Sequence, residues 1–221
     1  MEMSLSLRSL FFLLIVRPLV FLVLGLNVRN RKGLPLAGPA IVVANHNSHL
    51  DTLVLLSLFP HEVLNRVRPV AAQDYFLRNR WLAWFSLKII GIIPLRRNLK
   101  GVKEDPLAGC SAALERGEIL IVFPEGSRGE PEVLSKFKTG VAHLAQRYPQ
   151  IPLVPVFMHG LGRALPKGEW VLVPVVCDVL IGSAFSWGGS RPALMAGLED
   201  QMKELGAQIH APPWEESIPS G

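Results

Sequence analysis

Cysteine is scarce in this 221-residue chain, with Cys110 and Cys177 set far apart. No C-x-x-C pair and no His/Cys ligand spacing surrounds either one, which argues against a zinc or other metal site and against a disulfide-stapled scaffold. A reduced cytosolic compartment fits, with one remote disulfide left open. Charged residues are also few, 19% against 49% hydrophobic, and that balance excludes a disordered chain. Long uncharged runs are missing except near the start, which excludes a polytopic membrane protein. Internal repeats and low-complexity tracts are absent. Lys and Arg exceed Asp and Glu by 23 to 18, for a net charge of +5 and a pI near 9.5. No nucleic-acid motif and no basic-aromatic platform accompanies that excess, so no nucleic acid partner is expected. What remains is a hydrophobic, basic protein, long enough for one domain and an appendage. A chain of this length buries roughly 70% of its unfolded surface without disulfides or metals.

The one long apolar run is at 10–26, LFFLLIVRPLVFLVLGL, with Arg8 before it and Arg29, Arg31 and Lys32 after it. As a single helix it would reach about 26 Å, slightly short of a hydrocarbon core near 30 Å. Arg17 and Pro18 interrupt it. A central Arg costs about 2.5–3.5 kcal/mol and each Leu, Ile, Phe or Val returns about 0.3–0.6, so Arg17 alone does not veto insertion. The Arg-Pro break favours two short helices lying in the membrane interface, with Arg17 reaching up to phosphates. A single span and a buried soluble helix are the alternatives. No small-residue cleavage site follows Leu26, so a removable signal peptide is not expected. The basic cluster at 29–32 would keep the following domain on the cytoplasmic side.

Beyond a Gly/Pro-punctuated loop, short apolar runs alternate with helical patterns. AIVVAN at 40–45, RPVAAQ at 68–73, GIIPLRR at 91–97, GEILIVF at 117–123, IPLVPVFMHG at 151–160 and WVLVPVVCDVLIG at 170–182 read as strands. LVLLSLF at 53–59, an aromatic-rich stretch at 75–90, EDPLAGCSAALERG at 104–117, KTGVAHLAQRY at 138–148 and a closing segment at 193–210 read as helices. The alternation predicts an α/β fold. Trp81, Trp84 and Phe85 on the aromatic stretch read first as core packing, with a second interfacial contact as the alternative. The organisation expected is a membrane-associating segment at 1–32, a domain at 33–210 and a loose tail at 211–221.

Polar residues gather where predicted strands end, the place open α/β sheets hold ligands. In Asn45-His46-Asn47-Ser48-His49-Leu50-Asp51, a tight turn can bring the Asp51 carboxylate to one imidazole nitrogen of His46. The other nitrogen is then free to act as a base. The plainer alternative is that Asp51 caps the next helix. Phe123-Pro124-Glu125-Gly126-Ser127-Arg128-Gly129 opens an apolar strand into a carboxylate, a flexible backbone and a guanidinium. Ser127 lacks the G-x-S-x-G spacing of a nucleophile elbow. Arg96 and Arg97 suit phosphate, and Lys136 and Lys138 could extend an anion-binding surface.

Taken together and in this order, these clusters resemble the glycerolipid acyltransferases, in particular bacterial lysophosphatidate acyltransferases, over about residues 30–185. His46 and Asp51 match that family's H-x4-D motif, with Asn45 before the histidine. Arg97 falls six residues after Gly91 as in its second motif. Phe123 to Arg128 match the third, and Val154-Pro155-Val156 resembles the fourth. One departure stands out: where many relatives carry a lysine that helps hold the acceptor phosphate, this chain has Ala71-Ala72-Gln73-Asp74.

The resemblance implies a single mixed β-sheet flanked by helices, preceded by a membrane-anchoring helical segment. It implies acyl transfer from acyl-CoA or acyl carrier protein to the free hydroxyl of lysophosphatidate, with His46 as general base and Asp51 as its partner. Arg97, Glu125, Gly126, Ser127 and Arg128 would bind the lipid acceptor, and Asn45, Pro155 and Lys138 are secondary candidates. No metal or redox cofactor is implied, because a thioester is already activated. The expected location is the cytoplasmic face of the cell membrane. Another lysophospholipid or an amino-lipid as acceptor, and thioester hydrolysis, are the competing readings.

Overall fold

The computed structural model describes residues 6–96, 105–127, 133–164 and 173–210. Their centre is a seven-stranded mixed sheet built from β1 (Gly25–Arg29), β2 (Ala40–Ala44), β3 (Val67–Ala72), β4 (Ile93–Leu95), β5 (Ile119–Val122), β6 (Leu153–His159) and β7 (Val176–Ile181). The spatial order is β1-β7-β6-β2-β5-β3-β4, parallel at every pairing except β6 with β7. Both faces of β2 are covered, so its five residues are apolar throughout and all buried, the pattern of a central parallel strand.

Alternate residues of the strands feed two separate cores. Val42, Ala44, Ile121, Val154 and Val156 pack with α3 (Leu50–Leu58), the short helices α4 (His61–Leu64) and α9 (Leu161–Ala164) and the N-terminal helices. Ile41, Val43, Leu120, Leu153 and Phe157 pack with α7 (Ala108–Glu115), α8 (Gly140–Arg147) and α10 (Arg191–His210) on the other face. The helix that follows β2 and the helix that follows β5 therefore leave these neighbouring strands for opposite faces. That divergence opens a crevice at the carboxyl ends of β2 and β5. Cys110 and Cys177 are both buried thiols, and burial, then the charge of Asp105, pushes the Cys110 thiol up to about 11.

The N-terminal run folds back on the domain. α1 (Leu7–Phe11) continues through a wide turn (Phe12–Val16) into α2 (Arg17–Val23). Phe12, Val16, Val20 and Leu24 are 1–2% exposed and belong to the core beside α3. A regular helix advances positions four apart by about 40°, and the wide turn offsets that drift, so the stripe stays on one side. Leu14, Ile15, Phe21 and Leu22 stay exposed on the helix, Leu22 at 85%. No helix among the described residues is long and apolar enough to cross a membrane.

Several sequence expectations are corrected here. Arg17 does not reach outward; its Nη2 donates to the Phe59 carbonyl at 2.7 Å, where the end of α3 leaves carbonyls without helical partners. Residues 25–29, within the 1–32 segment, form edge strand β1 in register with β7. The aromatic stretch is not one helix. It divides into α5 (Gln73–Phe76) and α6 (Arg80–Trp84), which runs on as a wide turn over Phe85–Ile90. Asn79 starts the second piece by accepting the Leu82 amide at 2.7 Å, a side-chain cap that competes with a continuous helix. Trp81 and Trp84 are not core residues; they are 86% and 49% exposed. The tail at 211–221 lies outside the described residues.

Candidate functional site

His46 stands two residues beyond β2, and Asp51 opens the first turn of α3. The loop between them closes on the carboxylate. Asp51 Oδ2 accepts from His46 Nδ1 at 2.9 Å, from the Asn47 amide at 2.7 Å and from the Ser48 amide at 2.8 Å. Asp51 is wholly buried, whereas the His46 side chain keeps 20% exposure. A carboxylate can only accept, so Nδ1 carries the hydrogen and Nε2 keeps its lone pair. Capping and pairing are thus the same arrangement: one oxygen orders the loop at the start of α3 and fixes the tautomer of His46.

The loop after β5 forms the other wall. The Phe123 ring stacks on the imidazole, with centroids 4.3 Å apart and 26° between planes. Glu125 is buried behind His46, and its Oε1 accepts the His46 amide at 2.9 Å. Burial raises the Glu125 pKa above the usual carboxylate range, against the opposing pull of the His46 amide and of Ser135. Gly126 has φ +70°, and an added Cβ would meet the Lys138 ammonium nitrogen at 2.6 Å. A side chain there would be strained and would displace the lysine stem that crosses the turn.

His46 lines a cavity of about 900 Å³, within the range of small-molecule sites. Leu53, Phe76, Leu82, Phe85, Ile90 and Ile92 give it an apolar wall. Arg96, Lys138, His143 and Arg147 also line it, together with Gly126 and Ser127. Arg147 donates to Asp105 at 2.6 Å and holds that carboxyl below its usual range. His49 and Tyr75, both in the lining, stack with centroids 5.9 Å apart.

The structure brings His46, Asp51, Glu125, Gly126, Ser127 and Lys138 together. Arg97 and Arg128 lie outside the described residues. Glu125 does not line the cavity; it fastens the two motif loops to each other. Asn45 turns away as well. Its amide nitrogen donates to the Met158 carbonyl at 2.8 Å and its oxygen accepts the Met158 amide at 2.7 Å, which ties the end of β2 to β6. Pro155 is buried in β6, where its carbonyl accepts from Gly182 at 2.8 Å. Sequence reasoning missed the stacking role of Phe123 and the cavity positions of Tyr75, His143 and Arg147. Phe123 is the first residue of the third motif, but the other three carried no spacing signal.

The acyltransferase family profile matches residues 25–159, more than half of the chain and the whole of this crevice. The chain belongs to the acyltransferase family. Members it resembles include the chloroplastic 1-acyl-sn-glycerol-3-phosphate acyltransferase of Arabidopsis thaliana, 30% identical over 65% of this chain and 38% of that protein. The 1-acyl-sn-glycerol-3-phosphate acyltransferase of Pseudomonas aeruginosa is 27% identical over 79% of this chain and 64% of its own length. This family member thus spans well under half of the plant relative. The crystal structure of the 1-acyl-sn-glycerophosphate acyltransferase from Thermotoga maritima shares the fold, with a TM-score of 0.73 and 23% identity over 89% of this chain and 76% of that one.

Proposed function

We propose that this acyltransferase moves a fatty acyl group from acyl-CoA or acyl carrier protein to the free hydroxyl of lysophosphatidate, yielding phosphatidate. The observation that carries the reading is the 2.9 Å bond from His46 Nδ1 to buried Asp51 in a cavity with an apolar wall and several cations. The names of the relatives supply the acceptor.

His46 Nε2 takes the hydroxyl proton as the oxygen attacks the thioester carbonyl. The new C–O bond forms, the C–S bond breaks, and the departing thiolate recovers the proton from the imidazolium. Asp51 holds the ring in the tautomer this needs, and its negative charge faces the positive charge that develops. Glu125 is a positioning residue, acting through the His46 backbone. Arg96 and Lys138, together with Arg97 and Arg128, supply cations for the acceptor phosphate, while the apolar wall accommodates acyl carbons. The thioester is activated already, so the reading uses no metal or redox group. A membrane surface is the natural partner, because acceptor and product are lipids and Leu14, Phe21 and Leu22 are exposed on the N-terminal helices.

A second acceptor class keeps one observation in its favour. Asp74, beside Gln73 in the stretch where many relatives carry a lysine, lines the cavity. A carboxylate there suits a head group bearing an ammonium, so another lysophospholipid or an amino-lipid is the alternative acceptor. The test uses labelled oleoyl-CoA and the purified chain with lysophosphatidate, lysophosphatidylglycerol or glycerol 3-phosphate, as wild type and His46→Ala. Labelled phosphatidate from wild type, reduced at least about 100-fold in the variant, is the expected result. Transfer to another lysolipid alone replaces the acceptor, and thiol release without acylated lipid points to hydrolysis.

A further inference from the structure

A second cavity, of about 410 Å³, shares no lining residue with the first. The two lie on opposite sides of one helical stretch: Leu82, Phe85 and Ile90 face the His46 cavity, while Trp84, Leu87 and Lys88 face the second. An occupant of this cavity is therefore not the acyl acceptor at His46.

Three cations line it, Arg8, Arg68 and Lys88, beside the polar groups of Ser6 and Asn65. Arg8 is 6% exposed. Its Nη2 donates to the carbonyls of Val67 at 2.9 Å and Ile90 at 2.8 Å, but its Nε is buried with no acceptor among the described residues. Arg68 Nε is in the same position. Among the described residues one carboxylate answers this charge, and it is shared: Glu118 lies 3.9 Å from Arg68 and is engaged at 2.9 Å by Arg116. The Arg8 pKa falls to about 10, through burial first and repulsion from Arg68 second. Buried guanidinium N–H groups without acceptors are costly, and an anion from outside would satisfy them. Gly91, at φ +74°, leaves the flank of Arg8 bare, where a Cβ would come within 2.9 Å of Nη1.

Apolar side chains stand at the mouth of the cavity beside exposed Lys88 and Asn65. Leu7, Trp84 and Leu87 are 59%, 49% and 40% exposed at its rim. A site for a dissolved anion needs no such rim, whereas an aromatic and two leucines around a basic pocket match the interface of a lipid layer. We propose that this cavity binds the phosphate of an anionic phospholipid, with Arg8, Arg68 and Lys88 around the headgroup and Leu7, Trp84 and Leu87 in the adjoining acyl region.

The test is cosedimentation of the full chain with phosphatidylcholine vesicles, with and without a minority of phosphatidylglycerol. Wild type is compared with an Arg68→Gln/Lys88→Gln variant, with Trp84→Gln, and with Lys138→Gln, which alters the His46 cavity instead. Melting temperatures check that each variant is folded. The double variant is expected to lose about tenfold or more of its affinity for phosphatidylglycerol vesicles and none for phosphatidylcholine. Trp84→Gln, which leaves the cations in place, is expected to weaken the same binding, and Lys138→Gln to leave it unchanged. Equal losses in the double variant and Lys138→Gln would reduce the site to diffuse charge attraction and overturn the proposal. Release of the wild type from phosphatidylglycerol vesicles by millimolar inorganic phosphate would make the ligand free phosphate rather than lipid.

Discussion

At the scale of single residues, the orientation and tautomer of His46 are set by Asp51, Glu125 and Phe123, and in the proposed mechanism its Nε2 is the base. Asp51→Asn replaces an obligate acceptor with an amide that can present N–H to Nδ1 and favour the wrong tautomer. Its kcat is expected to fall about 10²–10⁴-fold with little change in KM, measured by steady-state kinetics on protein of unchanged helical content. A loss under fivefold would make Asp51 only a helix cap. Glu125 gives a pH signature. Its raised pKa means that the folded state favours the neutral acid, so its contribution to stability is fully present below the ordinary value of 4.5 and is lost as pH rises through the raised value. Glutamine is neutral throughout. The melting temperature of Glu125→Gln relative to wild type is therefore expected to climb as pH rises from about 4.5 towards neutrality, and a constant offset would contradict the assignment. The His46–Asp51 pair was legible in the sequence because a five-residue spacing fits one tight turn. The Glu125 contact was not, since it spans 79 residues and depends on the order of strands.

At the scale of elements, the alternation of apolar runs and helical patterns located six of the seven strands among the described residues. β1 escaped because Gly25 and Leu26 merge with the apolar run before them, and the alternation of Leu26 and Val28 is too short to stand out. The break at Asn79 was hidden for the opposite reason, as the residues on either side of it both favour helix. The N-terminal run was read for its hydrophobicity. Its four-residue stripe of Phe12, Val16, Val20 and Leu24 says instead that one side belongs to the core. Phe12→Ala is accordingly expected to destabilise the entire domain by about 3–5 kcal/mol in denaturant unfolding. A change below about 1 kcal/mol would show that α1 is a detachable appendage.

At the scale of the whole molecule, both native thiols lie inside the cores, Cys177 at 0% exposure and Cys110 at 1%. Neither is expected to react with a maleimide or an aromatic disulfide under native conditions, and both are expected to react once the chain is unfolded, as counted by mass spectrometry. Prompt labelling of the folded protein would contradict the burial of α7 and β7. The pairing of β1 with β7 has a consequence for synthesis. Val28 aligns with Val179, so β1 waits until β7 has left the ribosome. At about 5–20 residues per second that interval is roughly 8–30 s. Throughout it β1 has no partner strand, so its backbone N–H and C=O groups stay unpaired until β7 arrives.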